Sequence, residues 1–547
     1  MDTLKRDVVS PLWHQWHSIE WSAVSGRVRR LQARIAKAAK ESDWRKVRQL
    51  QRLITKSTSA KALAIKRVTA NRGHKTPGID GELWSTPEAK WAALRTLGNK
   101  GYKAVPLRRI HIPKASGGKR PLGIPTMRDR AMQALYLLAL EPVSETNSDL
   151  NSYGFRPHRS TQDAMMQCCN ALARQHSAPW ILEGDIRGCF DNISHEWLLK
   201  NIPLNRIVLR QWLRAGYVDM RKLFPTKAGT PQGGIISPVL ANMTLDGIEG
   251  MLKEHFPRRS KVNFIRYADD FIVTATTVEE LETAKRLIQR FLKERGLELS
   301  ERKTKLTHIS EGFDFLGWMF RKFNGRWSMT PSKASQKRIY AKVRDIVRAH
   351  RASSQGVLIA ALIPVLRGWG YYHKHVASSR CFAKLDHKIW QLLWRWAKRR
   401  HPNKGRRWIK NRYWSKIRGR DWVFNDKRLQ LFLLSRIRLT RHLKIRSEAN
   451  PYDPAFEEYF EGRTKRWMAE HAVAKTGRLW MAQLGKCPIC SETIDLQAQW
   501  DIHHKVWKAN GGSDDDANLT LVHMNCHKQI HARGCTQWPP AWLKTQA

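Results

Sequence analysis

Acid is what this chain has little of. Asp and Glu number 47 against 98 Lys and Arg, a formal charge of +51 spread along most of its 547 residues instead of confined to a tail. A long polyanion is the natural partner of such a surface. Nucleic acid fits better than an anionic membrane, because 24 Trp and 11 Tyr are interleaved with the basic residues and offer stacking faces beside phosphate-binding cations. Long apolar runs are missing too. The longest, residues 357–366, is interrupted by Pro364, and residues 1–18 have no continuous apolar stretch, so neither a membrane helix nor a secretory leader is expected. A disulfide framework is the third absence: Cys168, Cys169, Cys189, Cys381 and Cys535 show no framework spacing, leaving Cys487, Cys490 and Cys526 as candidate metal ligands. The expectation is a reduced, cytoplasmic, nucleic-acid-associated protein of roughly three or four domains at ~150 residues each.

What is present begins with basic amphipathic helices. Between residues 21 and 54 apolar residues recur at helical spacing (Val24, Val28, Leu31, Ile35, then Trp44, Val47, Leu50, Ile54), with Arg, Lys and Gln on the other face. These helices either cover a core or bind a phosphate backbone. A Gly- and Pro-marked loop, NRGHKTPGIDG (71–81), follows. LRRIHIPKASGGKRPLGIP (107–125) reads as a hairpin whose turn at Ser116-Gly117-Gly118 is flanked by Lys114 and Arg120. Two cations around flexible glycines suit a lid over a triphosphate, or simply a solvated basic hairpin. An apolar helix is expected over 131–140.

Three carboxylates organise the middle of the chain. In VNFIRYADDFIVTA (262–275) the adjacent Asp269 and Asp270 sit between two apolar, β-branched runs, at or beside a tight hairpin turn. Two acids there either form a simple turn or hold divalent cations such as paired Mg²⁺, which stabilise the attacking and leaving oxygens of phosphoryl transfer. PWILEGD (179–185) supplies a third, Asp185, at a strand end. Phe190 has the bulk to sit under a nucleotide sugar and reject a 2′-hydroxyl, while Asp191 reads as a turn or cap residue. Between the acidic sites, AGTPQGGIISP (228–238) pairs Gly233 with Gly234 for close backbone approach to a ligand, and Gln232 offers an amide for base or sugar contacts. Thr277, Glu280 and Gly296 bracket a helix with a capping box and a stop.

In order, these motifs resemble the fingers and palm of a reverse transcriptase. GLELSERKTKL (296–306) and FDFLGW (313–318) are similar to its lysine-bearing and primer-holding motifs. The resemblance implies Mg²⁺ at Asp185, Asp269 and Asp270, dNTP contacts from Lys114 and Arg120, and exclusion of ribonucleotides by Phe190. NRGHKTPGIDG before the fingers and LIPVLRGWGYYHKHV (362–376) after the palm narrow the resemblance to bacterial group II intron-encoded proteins, whose helical thumb, or maturase domain, binds intron RNA. The residues speak for RNA independently: 398–420 holds eleven Lys or Arg and no acid, with Trp408, Tyr413 and Trp414 among them.

SEANPYDPAFEEY (447–459) shifts to Pro and acids and reads as a linker. Beyond it, Cys487-Pro-Ile-Cys490 and His523-Met-Asn-Cys526 have the spacers with which two pairs grip a tetrahedral Zn²⁺. His503-His504, a GGSDDDANL loop with Asn518, and His527 and His531 at helical spacing complete a resemblance to an HNH endonuclease. That resemblance makes His504 the general base, Asn518 its orienting residue, and His503, His527 and His531 the ligands of one Mg²⁺ or similar ion. His523 stands where a Cys is commoner, so it is a zinc ligand, a ligand of the catalytic ion, or a surface histidine.

The expected architecture is multidomain α+β: a basic helical extension (1–105), right-hand reverse transcriptase fingers and palm (106–328), a helical thumb/maturase domain (329–440), a basic DNA-binding or linker segment (441–484) and a small ββα-metal HNH domain with zinc (485–547). The resemblance implies a mobile-intron protein that assists splicing of its intron RNA, nicks target DNA and copies RNA into DNA. The alternatives are another bacterial reverse transcriptase, of defence or diversity-generating type, with a fused nuclease, or a protein acting mainly as an RNA-binding splicing cofactor.

Overall fold

The computed structural model describes residues 12–113, 117–417, 419–471, 474–494, 500–532 and 538–540. The chain opens with five helices, α1 (Leu12–His17), α2 (Trp21–Lys40), α3 (Trp44–Lys56), α4 (Thr58–Ala70) and α5 (Pro87–Thr96). The apolar stripe between 21 and 54 is split in two because Ser42 turns the backbone at φ 57° and Asp43 then caps α3, accepting from the Lys46 amide at 3.0 Å. Val24, Val28 and Ile35 of α2 and Val47, Leu50 and Ile54 of α3 are buried. They pack against α4 and against α6 (Met127–Asn147), which is buried nearly all round and forms the central pillar.

Strands β1 (Leu107–Pro113) and β2 (Lys119–Ile124) form the expected hairpin, with Ile112 opposite Arg120. Its tip, including Lys114, lies outside the described residues. After α7 (Thr161–Leu172), β3 (Trp180–Asp185) and the helices α8 (Cys189–Asn192), α9 (His195–Asn201) and α10 (Arg206–Leu213), the short strands β4 (Tyr217–Asp219) and β5 (Lys222–Phe224) extend that hairpin into a sheet of order β2-β1-β4-β5.

Helices α11 (Ser237–Leu245) and α12 (Ile248–His255) lead into β6 (Asn263–Tyr267) and β7 (Asp270–Ala275); α13 (Val278–Lys293) and β8 (Lys305–His308) complete a central sheet of order β6-β7-β3-β8. The capping box of Thr277 and Glu280 starts α13, and Gly296 turns the chain after it at φ 73°. Successive side chains on these strands point to opposite faces, and both faces are covered. Phe264, Phe271, Val273 and Leu182 join the core shared with the N-terminal helices, whereas Ile265, Ile272 and Ile181 join a second core with α7. The sheet is thus a slab covered on both faces, and solvent reaches it chiefly at its strand ends and along the edge strand β8.

A small sheet, β9 (Phe313–Phe315), β10 (Trp318–Phe323) and β11 (Arg326–Pro331), precedes three long helices, α14 (Lys333–Ala349), α15 (Gln355–His373) and α16 (Ser379–Arg400). They bury their own core around Val343, Leu358, Leu362 and Leu393. Helix α17 (Arg406–Tyr413) and the strands β12 (Trp414–Ile417), β13 (Arg420–Asp426) and β14 (Leu429–Gln430) close that unit.

The Pro- and acid-rich stretch after it is no free linker. Ile445 and Ala449 are buried in the α7-side core, Asn450 Nδ2 donates to Thr146 Oγ1 at 3.1 Å, and the Tyr452 hydroxyl donates to half-buried Glu141. Composition suggested a linker; the few apolar and aromatic residues in and beside it instead strap it along the slab. Helices α18 (Glu457–His471) and α19 (Ala474–Ala482) then lead to β15 (Trp500–His504), β16 (Leu519–His523) and α20 (Met524–Ala532), an antiparallel pair followed by one helix. No helix among the described residues is long and apolar enough to cross a membrane.

Candidate active sites

The register of the central sheet assembles the first site. Asp185 ends β3 directly opposite Asp270, which opens β7, and Asp270 pairs across the hairpin with Tyr267. Only Ala268 and Asp269 remain for the turn, with Ala268 forced to φ 58°. The turn is held from below by Arg266, fully buried, whose guanidinium donates to Asp246 at 2.6 Å and to Asn242 at 3.1 Å. Gly154 lies against the same turn: a Cβ there would stand 2.2 Å from the Ala268 nitrogen. Gly184, just before Asp185, leaves room for the Phe271 ring in the same way.

Three carboxylates therefore crowd one point. Asp270 meets solvent at the cleft, yet the walls around it limit its hydration; that burial, then the charges of Asp269 and Asp185, push its carboxyl up to about 7. Burial and the Asp185 charge also raise Asp269, while Lys303 and Arg120 pull it the other way. Lys303 Nζ sits 3.0 Å from both oxygens of Asp185. Its approach is fixed by the backbone of the preceding segment, where the Ser300 amide donates to the Asp185 carbonyl and the Arg187 amide donates to the Glu298 carbonyl. A cluster that is reluctant to ionise and already draws in a cation has the donor chemistry of a divalent-metal site.

Phe190 stands beside these acids on α8, edge-on to the Phe155 ring at 5.9 Å. The glycine-rich loop anchors to the same turn: the Thr230 amide donates to the Phe190 carbonyl at 2.7 Å. A Cβ at Gly229 would collide with the Asp191 carbonyl oxygen at 2.5 Å. Gly233, at φ 114°, passes so near the fingers that a Cβ would lie 2.5 Å from the Gly123 carbonyl, and the Gly123 amide donates to the Gln232 carbonyl at 2.7 Å. The loop thus ties fingers to sheet. Gln232 spends its side-chain amide on both oxygens of Asp191, 3.2 Å each, where sequence reading expected a base or sugar contact.

The second site is C-terminal. His503, His527 and His531 bring ligand nitrogens within 4.8 Å of one another. His503 is buried between these rings and Trp538; burial, then its histidine neighbours, push its imidazole down to about 4, so it offers a neutral nitrogen. Asp501 Oδ2 lies 3.2 Å from His527 Nδ1, which leaves Nε2 facing the cluster. His504, next on the strand, has Nε2 2.8 Å from Asp514 Oδ1. Asp514 also accepts from Lys508 at 2.8 Å, and these partners pull its carboxyl down to about 2. Asn518 braces the loop: its Oδ1 accepts from the Val506 amide at 2.7 Å, and its Nδ2 donates to the carbonyls of Val506 and Ser513 at 3.0 and 2.8 Å. A third cluster joins Cys487, Cys490, His523 and Cys526, again within 4.8 Å. His523 thereby falls with the cysteines and away from the histidines that share its four-residue spacing.

Sequence reading missed Gly154, Phe155, Asp501 and Asp514, and gave Lys303 no role beyond membership of a motif. Asp501 carried a signal, an acid two residues before paired histidines, and Asp514 lies in the acidic loop that follows them. Gly154 carried none, since its partner lies more than a hundred positions away.

Four family descriptions match in order: the N-terminal domain of reverse transcriptase over residues 16–97, reverse transcriptase (RNA-dependent DNA polymerase) over 112–320, the group II intron maturase-specific domain over 336–414, and HNH endonuclease over 487–533. Protein YkfC of Escherichia coli K12 is 31% identical over 333 residues, covering 52% of this chain and 86% of that one. The group II intron-encoded protein LtrA of Lactococcus lactis subsp. cremoris is 30% identical over 330 residues, covering 47% of this chain and 54% of that one, so the match spans about half of LtrA. A solved telomerase from Candida albicans aligns over 56% of this chain at 13% identity with a TM-score of 0.32, too low to bear on the assignment. With reverse transcriptase, maturase and HNH modules in this order, the chain belongs to the group II intron-encoded proteins, RNA-directed DNA polymerases that here carry a DNA endonuclease.

Proposed function

We propose that this protein serves a mobile group II intron in the bacterial cytoplasm: its maturase helices hold the intron RNA for splicing, its HNH module nicks target DNA, and its palm extends the nick by copying the RNA. The observation that carries the polymerase assignment is the convergence of Asp185, Asp269 and Asp270 on one point beside Lys303. Those three acids would hold Mg²⁺, His503, His527 and His531 would hold Mg²⁺ or a similar ion, and Cys487, Cys490, His523 and Cys526 would hold a structural Zn²⁺. Bound at the acids and histidines, divalent ions supply Lewis-acid stabilisation of the oxygens that attack and leave.

The chain's own groups do the rest. Arg120, close enough to Asp269 to affect its titration, attracts the triphosphate, and Lys114 is assigned the same role. Phe190 limits space at the sugar 2′ position, and Gln232 and Gly233 keep the loop beneath it in place. In the nuclease, His504 takes the proton from water, Asp514 fixes its ring, and Asn518 holds the intervening loop. The domain division expected from sequence, at 1–105, 106–328, 329–440, 441–484 and 485–547, is our working assignment.

The test separates the two chemistries. Asp269→Ala with Asp270→Ala should abolish dNTP incorporation on a primed RNA template and leave DNA nicking unchanged, and His504→Ala should do the reverse. Undiminished synthesis by the double variant would overturn the assignment of the acids.

A further inference from the structure

Helix α20 carries His527 and His531 one turn apart, and Gln529 falls between them on the opposite side of the helix. That side faces the other end of the chain. Gln529 is buried, and its Nε2 donates both hydrogens to backbone carbonyls of the turn between α1 and α2, to His17 at 3.0 Å and to Ile19 at 3.2 Å. Apolar contact backs the polar one: Ile530 lies in the same continuous core as Trp16 and Trp21. A second tie lies nearby. Arg29 of α2 pairs at 2.5 Å with Glu492, whose carbonyl accepts from the Cys487 amide at 2.8 Å.

We infer that Gln529 is a positioning residue of the nuclease: by clamping α20 to the N-terminal helices it sets the rotation at which His527 and His531 face His503. Helix α20 has nine residues; Cys526 of the cysteine cluster ties its first turn, which leaves the turn bearing His531 to be held by Gln529 and the packing beside it. A turn of ~20° about its axis would move a side-chain tip at ~5–6 Å radius by about 2 Å. Metal–ligand distances tolerate only about ±0.2 Å. Two hydrogen bonds to fixed carbonyls resist that rotation directly, on the face opposite the ligands. The nuclease site is thereby completed by a segment some five hundred positions upstream, and its metal affinity depends on the polymerase's N-terminal helices being in place.

The inference rests on the histidine cluster being the nuclease's metal site, and the test keeps the two apart. The full-length protein, its cysteine site loaded with zinc, is titrated with Ni²⁺ by calorimetry, with His503→Ala marking the heat that belongs to the histidines. Gln529→Met keeps the shape without the donors, and Gln529→Glu sets a carboxylate against the two carbonyls. We expect Gln529→Met to weaken the histidine-dependent binding about tenfold, within the range for residues that orient ligands, and Gln529→Glu to weaken it further. Zinc content and dNTP incorporation should be unchanged, and nicking by Gln529→Met should recover at saturating Mg²⁺, so that the half-saturating concentration moves and kcat does not. Wild-type affinity in both variants would overturn the inference. So would a parallel loss of zinc from both, which would make the contact one of folding. Binding to wild type that His503→Ala leaves untouched would instead overturn the metal-site reading, and the inference with it.

Discussion

The carboxylate of Asp163, fully buried near the start of α7, accepts a 2.7 Å hydrogen bond from the backbone amide of Ile445, 282 positions further along the chain. It also meets His442 Nε2 at 2.9 Å and Arg463 at 3.4 Å, while its second oxygen takes the Ser160 hydroxyl and amide. One acid thus ties the strap and α18 to the slab. Burial pushes this carboxyl up, but His442, Arg463 and Ser160 outweigh it and hold it below the usual carboxylate range.

A depressed carboxylate contributes stability that is present above its unfolded pKa of ~3.9 and is lost as pH falls through the lower folded value. Asp163→Asn should therefore destabilise the protein by roughly 3 kcal/mol at neutral pH, as when one partner is removed from a buried ion pair. Urea midpoints of variant and wild type should converge as the pH falls below about 4. Equal midpoints at pH 7 would show that the strap is held without this acid.

Gly154→Ala tests how closely the acidic turn is fitted. Its Cβ would sit 2.2 Å from the Ala268 nitrogen and 2.9 Å from its Cα, backbone atoms that cannot rotate aside. The turn bearing Asp269 has to shift. A displacement near 1 Å at reacting groups costs on the order of 100-fold, so dNTP incorporation should fall by about that much while nicking holds. Full polymerase activity would mean that the hairpin adapts.

Much of this was legible in the sequence, for a physical reason. The strands and acids of the palm, the capping box at Thr277 and the cysteine pair with a two-residue spacer are local patterns: apolar, β-branched runs that end in carboxylates, a cap three residues before its glutamate, two thiols around one turn. Each element follows from its own few residues. What could not be read depends on contact between distant segments. Gly154 matters because of Ala268, Lys303 because it reaches Asp185, and Gln529 because of His17. The strap misled for the same reason: its composition is that of a solvated loop, and only the Glu141 and Thr146 it meets make it part of the core. His523 could not be assigned from spacing alone, since a four-residue step links it to His527 while a two-residue spacer links it to Cys526; the fold separates the two sets.

Loss of the zinc should act on the C-terminal module alone. The Cys487, Cys490, His523 and Cys526 atoms converge on one point, and such structural zinc sites contribute on the order of 10 kcal/mol or more to folding. Cys526→Ser should lower zinc content by one ion per chain, make residues beyond 474 sensitive to protease, and abolish nicking. Incorporation of dNTPs should persist, because the acids of the palm share no ligand with this cluster. Retained zinc with intact nicking would place the ion elsewhere.

The last prediction concerns the surface of the maturase unit. Trp422 is 40% exposed and held at φ 61°, a backbone conformation costly for so large a residue. Trp390 and Trp394 of α16 stack at 5.7 Å beside it, and Lys410 Nζ lies 5.0 Å from its ring. A strained, exposed ring beside a cation is what stacking on an unpaired base requires, whereas packing alone would be served by a buried ring in a relaxed conformation. Trp422→Ala should weaken binding of the intron RNA by about 1–3 kcal/mol, the usual loss of one stacked base, and leave its salt dependence unchanged because no charge is removed. Lys410→Gln should instead lower the slope of log affinity against log salt by about one, the signature of one lost phosphate contact. If both variants bound RNA like wild type at every salt concentration, the ring would be part of the fold's outer packing and the RNA would lie on another face.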